Sequence, residues 1–508
     1  MLPDAYEDTG RRGRYFAKSG YTPEALPTFE SARGLLPVPI ADDHPEYIRM
    51  YWKAWELAFR GLKQPLAGSP FVSNYVDEGF SDCVFQWDTI FMLLFMRYAH
   101  AAFPAIASLD NFYARQYENG YICRQLRETD GEDRIFKERA DTINPPLFAW
   151  AEIGHYRITG DASRFALVLP ALEKHAEWLE AHRRRQNTTH GLYWNSPLGS
   201  GMDNIPLEGS GWVCMSSQMV LFYRQMAFMR EHLGETASAH AHAERADEIA
   251  ERIQKFMWFA DDGFYYNILD DGTPHRVKAV AGFWPLLAGV ADKQQARWLL
   301  FHLRDAKKFW RPMPVPSVAA NEPTYICDGG YWLGGVWAPT NLMIVKGLEP
   351  YGPETASANI FSFNEIATVL AGRYLDGLAK EFRRTGTFWE SYSAELVTRG
   401  NPAKGDFVGW TGAGPIQLLI ENILGFRPDA PARRLVWRLQ RIDRHGIENL
   451  RFGDISASLL CHPRESVLAA ADIEVTSDKP FTLAVDANDG AVREIEVKPG
   501  TYSHRVGR

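Results

Sequence analysis

The sequence predicts a mainly α protein, an (α/α)6 barrel followed by a small C-terminal β-rich module. Three observations carry that expectation. Apolar residues recur at three- and four-residue steps in twelve successive segments between residues 45 and 424. The connections between them alternate short and long, which suits a closed ring of six helical hairpins with its long loops gathered at one end. After Phe426-Arg-Pro-Asp-Ala-Pro431 the period changes from helical to alternating.

Residues 1–42 are rich in Gly, Pro and Arg without a sustained period, and are expected to be an irregular extension lying on the main domain. The barrel is expected over residues 43–426, with helices near 45–62, 87–101, 104–117, 144–159, 162–184, 213–233, 236–258, 279–289, 292–305, 333–348, 354–375 and 411–424. Asn144-Pro145-Pro146 opens one of these and Gly160-Asp161 separates two. Asp261-Asp262-Gly263 and Asp270-Asp271-Gly272 flank Phe264-Tyr-Tyr266 as hairpin turns. Residues 427–508 form the β module, with strands expected near 435–439, 456–460, 472–475, 481–485 and 493–497.

At 508 residues and 46% hydrophobic content the chain is globular and long enough for a large domain plus an accessory one. A net charge of −8 offers no electrostatic footprint for nucleic acid or an anionic membrane. The five cysteines, Cys83, Cys123, Cys214, Cys327 and Cys461, are scattered singly, so neither a zinc site nor a disulfide framework is expected, and no other cofactor is implied. With no basic-then-apolar leader and no 18-residue apolar run, the reading is of a cytoplasmic protein; a chain whose export signal has been removed reads the same. Its expected partner is a small carbohydrate. Oligomeric state stays open, a homo-oligomer included.

That partner follows from two carboxylates in aromatic settings. Asp203 lies in the Gly/Ser/Pro loop Pro197-Leu-Gly-Ser-Gly-Met-Asp203-Asn-Ile-Pro206, and Glu390 in Thr387-Phe-Trp-Glu390-Ser-Tyr392. Glycosidic-bond hydrolysis needs one protonated carboxyl for the departing oxygen and one ionised carboxyl to activate water. Asp203 suits the first role, since Trp194 and Trp212, nine residues to either side, offer an apolar surround that would keep it protonated. An Asx-turn capping the helix near 213 explains Asp203 equally well. Glu390 and Glu395 compete for the second role. Asp88, in Trp87-Asp88-Thr89, reads first as an N-terminal capping or dipole partner of the helix and second as a grip on sugar hydroxyls. Arg124 is suited to a substrate hydroxyl or carboxylate, or else to an ion pair with the acidic stretch 128–133. Asn144, Gln218 and Asn341 are polar groups suited to a pocket or to loop backbone.

Taken together, these motifs resemble the inverting α-glycosidases of glycoside hydrolase family 63 and the related trehalases of family 37, over roughly residues 80–426. Gln86-Trp87-Asp88-Thr89-Ile-Phe91 is similar to the early Trp-Asp segment whose Asp contacts the sugar, and Ser200-Gly-Met-Asp203-Asn204 to the loop carrying the general acid. Gly330-Tyr-Trp332-Leu-Gly-Gly-Val-Trp337-Ala-Pro-Thr-Asn341 resembles the Trp-rich lining of the sugar pocket. Trp389-Glu390-Ser-Tyr392 resembles the segment with the base, and Gly409-Trp410-Thr-Gly412 the closing signature. The resemblance selects Glu390 over Glu395. It implies an inverting hydrolase of an α-linked glucoside, mannoside or similar conjugate; exo-action is expected from a closed pocket on which Trp87, Asp88, Trp332, Trp337 and Trp410 converge, and Trp212 and Tyr392 complete the expected substrate-binding set. The Pro-Gly-Gly-Arg opening typical of trehalases is absent before Trp87, which disfavours trehalose. Two other readings remain, an (α/α)6 glycoside phosphorylase and a non-catalytic sugar-binding protein.

Overall fold

The computed structural model describes residues 12–134, 143–352, 355–357 and 360–507. Each of the twelve expected segments contains helix. They are Pro45–Arg60, Gln86–Met96, Ser108–Ala114, Phe148–Thr159, Ser163–His182, Val213–His232, Thr236–Phe256, Trp284–Leu287, Lys293–Arg304, Ala338–Leu348, Phe363–Thr385 and the π-helical Gly414–Ile423. Several begin later than expected: Ser108, Phe148 and Trp284 open helices expected from 104, 144 and 279, the first and third after a 3-10 turn. Residues 333–337 hold a glycine-rich turn and a short strand before Ala338, and the helix expected from 354, which lies outside the described residues, begins at Phe363. There Ser362 and Glu365 form a reciprocal capping box that satisfies two otherwise orphaned backbone N–H groups.

Alternate helices form an inner set. Gln86–Met96 packs on Phe148–Thr159, which packs on Val213–His232, then Trp284–Leu287, then Ala338–Leu348; the turn Trp410–Ala413 touches both that helix and Gln86–Met96. Every residue of Gln86–Met96 and Gly414–Ile423 is buried, as in elements packed on all sides. The outer Thr236–Phe256 buries only Ala239, Ala246, Ile249 and Ile253, a single stripe at helical spacing. No described helix is long and apolar enough to cross a membrane.

The C-terminal region forms two sheets. One is antiparallel, in the order Val38–Ala41, His445–Phe452, Ile455–Cys461, Ala471–Ser477, Gly500–Val506. The other runs Phe426–Asp429, Arg434–Arg438, Phe481–Asp486, Val492–Val497, with a parallel pair at its centre. Strict alternation of buried and exposed residues along Ala471–Ser477 shows one face turned to a core. The edge strand Val38–Ala41 departs from the expected irregular extension. Val38 pairs with Glu448 and Ala41 with His445, so residues before the first long helix are built into the C-terminal sheet. On the other side, the Arg157 carbonyl accepts from Ala430 N–H at 2.8 Å and the Ile158 carbonyl from Gly453 N–H at 2.8 Å. These bonds fasten the sheets to the end of an inner helix.

Asp88, Trp212, Trp337 and Trp410 lie at the N-terminal ends of four inner elements. A partial positive charge there favours a carboxylate or a bound polar ligand.

Candidate active site

The Asp203 loop is held by buried side chains from distant segments. Arg124 Nη1 donates to the Leu198 carbonyl at 3.3 Å and Asn144 Nδ2 to the Gly199 carbonyl at 3.4 Å. Gly201 rests on the Trp87 indole, where a Cβ would come within 2.6 Å of the ring, and its φ of 80° also favours glycine. Asn204 crosses to a third segment. Its Nδ2 donates to the Gly330 carbonyl at 3.1 Å and its Oδ1 accepts from Trp332 N–H at 2.8 Å.

Asp203 itself is exposed, and the aromatic surround expected from sequence spacing is not the one the fold builds. Trp194 instead packs against the Arg183 and Arg185 guanidinium groups, at 5.1 and 4.9 Å, beside an open cleft of about 1000 Å³ lined by Arg184, Asp270 and Asp271. Trp212 turns its indole N–H to the Gly209 carbonyl at 2.9 Å. At the start of the following helix, Val213 N–H donates to Asn267 Oδ1 at 2.9 Å.

Glu390 is buried, 4% exposed. Its Oε1 accepts from the Tyr331 hydroxyl at 3.1 Å, its Oε2 from Lys404 N–H at 3.2 Å, and its carbonyl from the Trp410 indole at 2.8 Å. Burial raises the carboxyl above its ordinary value; the bonds from Lys404 and Tyr331 and the Lys404 charge oppose the rise, and the Asp203 charge adds to it. Around it stands an aromatic wall. Trp332 and Trp337 stack at 3.9 Å with planes 3° apart, Tyr331 meets Trp337 edge-on at 5.0 Å, and Trp410 meets Trp337 at 5.7 Å. Lys404 Nζ sits 3.4 Å above the Phe80 ring.

Asp88 is the third carboxyl, 5% exposed, with no donor on Oδ1. The N-cap residue of its helix, Phe85, makes no side-chain cap bond, and Asp88 stands in the first turn, the place expected of a partner for the helix dipole. Burial, then the charges of Glu390 and Asp203, hold its carboxyl well above the usual range. The fold thus brings Asp88, Asp203 and Glu390 within reach of one another's charge, from three segments about 300 residues apart at the extremes.

The remaining candidates divide. Gln218 and Asn341 are buried with an unpartnered side-chain oxygen each, although Asn341 Nδ2 is committed to the Trp337 carbonyl at 3.0 Å. Tyr392 accepts from Trp389 N–H at 3.0 Å, a bond that shapes the Glu390 segment from behind. The acidic stretch 128–133, the alternative partner for Arg124, is engaged elsewhere: Glu132 meets Arg12 and Arg115 at 2.7 Å each, and Lys63 meets Glu128 at 2.6 Å. Glu395, the rival base, is clamped by Arg311 at 2.6 and 2.8 Å and by Tyr325 at 2.7 Å, and the Arg311 bonds lower its carboxyl. Sequence reasoning passed over Tyr331, Lys404 and Asn204. Tyr331 stood inside a quoted motif, but its φ of 62° and its reach to Glu390 have no sequence signal.

A sequence model described as the mannosylglycerate hydrolase MGH1-like glycoside hydrolase domain matches residues 84–209 and 210–411. An uncharacterized protein of Borreliella burgdorferi is 24% identical over 449 residues, 85% of this chain and 90% of that one. The probable mannosyl-oligosaccharide glucosidase of Schizosaccharomyces pombe is 25% identical over 409 residues, 68% of this chain and 49% of its own length, so the chain spans about half of that relative. Among solved structures, the mannosylglycerate hydrolase of family 63 from Thermus thermophilus in complex with glucose aligns with a TM-score of 0.56 at 18% identity, covering 72% of this chain and 99% of that one. That likeness bears on the fold.

Proposed function

This chain belongs to the family of mannosylglycerate hydrolase MGH1-like glycoside hydrolase domains, and from that premise we propose an inverting, exo-acting hydrolase of α-linked glucosides, mannosides or glycosyl conjugates. Asp203 is the general acid and Glu390 the general base. The observation that carries the reading is the burial gradient between them. Glu390 lies deep among tryptophans, while Asp203 is exposed. A sugar ring seated against the aromatic wall has its anomeric carbon between the two, and the leaving group points past Asp203 to solvent. Exo-action follows from that one-sided opening.

Glu390 receives a water proton as the glycosidic bond breaks, and a carboxylate with a raised pKa is the stronger base. The Tyr331 hydroxyl and Lys404 N–H fix its two oxygens, so the lone pair facing the water is set before substrate arrives. Asp203 donates to the departing oxygen. The covering it lacks in the free protein is supplied by the bound glycoside itself. The geometry requires roughly 6.5–9.5 Å between the carboxyls, leaving room for one water. The six-membered succession of inner helices supports an (α/α)6 barrel as the frame. We assign residues 43–426 to that catalytic unit and 427–508, with strand Val38–Ala41, to the β module.

The test is a screen of α-linked disaccharides, glucosyl and mannosyl glycerates and aryl α-glycosides, run with and without phosphate. The reading expects phosphate-independent release of a monosaccharide, lost in Asp203→Asn and Glu390→Gln. Phosphate-dependent release of a sugar phosphate favours a phosphorylase, and tight binding without turnover favours a sugar-binding protein.

A further inference from the structure

The stems of the Asp203 loop border a space that the proposed chemistry does not use. An open cleft of about 1000 Å³ is lined by Trp194 before the loop and by Gly209 and Ser210 after it, and by none of Asp88, Asp203 and Glu390. The stems are tied where Trp212 N–H donates to the Tyr193 carbonyl at 2.8 Å. Two turns complete the lining. In one, Thr188 donates to the Arg185 carbonyl from its N–H at 3.1 Å and its hydroxyl at 2.7 Å. The other is the hairpin turn where Leu269 N–H meets the Thr273 carbonyl at 2.9 Å, and Thr189 N–H joins the two by donating to the Asp270 carbonyl at 3.3 Å.

The side chains facing this cleft are of mixed kinds. Arg184 is engaged with Glu248 at 2.7 Å, whereas Arg185 is exposed and makes no ion pair among the described residues. Its guanidinium stands 4.9 Å over the Trp194 ring, a contact that holds the cation while leaving its N–H edge available. Asp270 offers an exposed carboxylate, and Gln186 and Asn187 carry donors and acceptors together. Half-buried Trp194 and 42%-exposed Leu269 add apolar surface. Acidic groups in the lining disfavour an anion and the arginines disfavour a cation, which leaves a neutral ligand. Donors and acceptors beside an indole suit a sugar, whose hydroxyls do both and whose C–H faces pack on an aromatic ring. The volume is at the top of the range for small-molecule sites, so more than one ring fits. We propose that this cleft is a second carbohydrate-binding site, holding a short neutral oligosaccharide by Trp194, Arg185 and Asp270. Binding there needs no catalysis, so it stands apart from the glycosidase reading.

The test is fluorine NMR of the full chain labelled with 5-fluorotryptophan, in the Glu390→Gln background to prevent turnover, with Trp194→Phe identifying the Trp194 signal. The probes are maltotriose, α-1,2-linked mannotriose and inorganic sulfate. The Trp194 signal should move saturably with at least one trisaccharide and stay in place with sulfate. Arg185→Ala and Asp270→Ala, both at exposed positions, should each weaken that binding about tenfold, the worth of a hydrogen bond to a charged group. With Glu390 restored, the same two variants should hydrolyse p-nitrophenyl α-glucoside or α-mannoside within about twofold of wild type, as expected of a separate site. A Trp194 signal indifferent to both trisaccharides overturns the proposal, as does a shift that survives both substitutions. A shift with sulfate alone makes the cleft an anion site and overturns it too. Hydrolysis that falls in step with binding merges the cleft with the active centre and removes the second site. Saccharide binding at Trp194 without turnover of any α-glycoside by wild type keeps this proposal and sinks the glycosidase reading.

Discussion

Trp332 N–H donates to Asn204 Oδ1 at 2.8 Å, so the residue following Asp203 is bolted to the residue following Tyr331, whose hydroxyl holds Glu390. The two proposed catalytic carboxyls, 187 positions apart in sequence (390 − 203), are thereby positioned through a single side-chain amide. Asn204→Ala should lower kcat by about 10- to 100-fold, because small displacements of reacting groups are costly, while KM and the thermal midpoint move little. Steady-state kinetics beside a melting curve checks this; an unchanged kcat means the loops are aligned by something else.

Gly201 is where the acid loop touches Trp87. Gly201→Ala adds a methyl that meets the indole at 2.6 Å on a backbone with φ of 80°, so two penalties combine. Strain and overpacking of this kind typically cost about 1–3 kcal/mol, and activity should fall with stability. Denaturant unfolding measures the first and turnover the second. A neutral outcome on both means that the loop does not rest on Trp87 in solution.

Asp88 couples stability to pH. Its carboxyl is raised in the folded protein, so the fold binds its proton more tightly than the unfolded chain does. That contribution is fully present below the unfolded value of about 3.9 and is lost as pH rises through the folded value. Asp88→Asn should therefore raise the thermal midpoint at pH 7, with the gain vanishing near about pH 4, and should cost more than about tenfold in kcat/KM. Melting curves at the two pH values decide it; equal shifts at both exclude the ionisation argument.

Much of the fold was legible because helices on an apolar core leave a local period, and all twelve segments hold helix. What escaped notice was non-local. Val38–Ala41 is four residues long, and its partner lies some 400 residues on, so no period marks it as a strand. The carboxylates could be named from their loops, but their surroundings could not. Trp194 and Trp212 are near Asp203 along the chain, yet the fold points them at Arg185 and Gly209. Tyr331 and Lys404 approach Glu390 only through folding, one of them from a left-handed backbone.

Glu395 separates the account from a reading based on acidity alone. It lies five residues from Glu390, but its charge is already spent on Arg311 and Tyr325. Glu395→Gln should keep kcat within about twofold and cost about 0–1 kcal/mol of stability, as for a partly exposed ion pair. Loss of turnover comparable to that of Glu390→Gln would move the base to the wrong carboxyl.

The central claim is that Asp203 and Glu390 act from opposite faces of the sugar with one water between them. Proton NMR of the first-formed sugar, taken from an α-linked substrate before mutarotation, tests it most directly. The account predicts the β anomer from wild type and turnover abolished in Asp203→Asn and Glu390→Gln. An α anomer as the first product would contradict it.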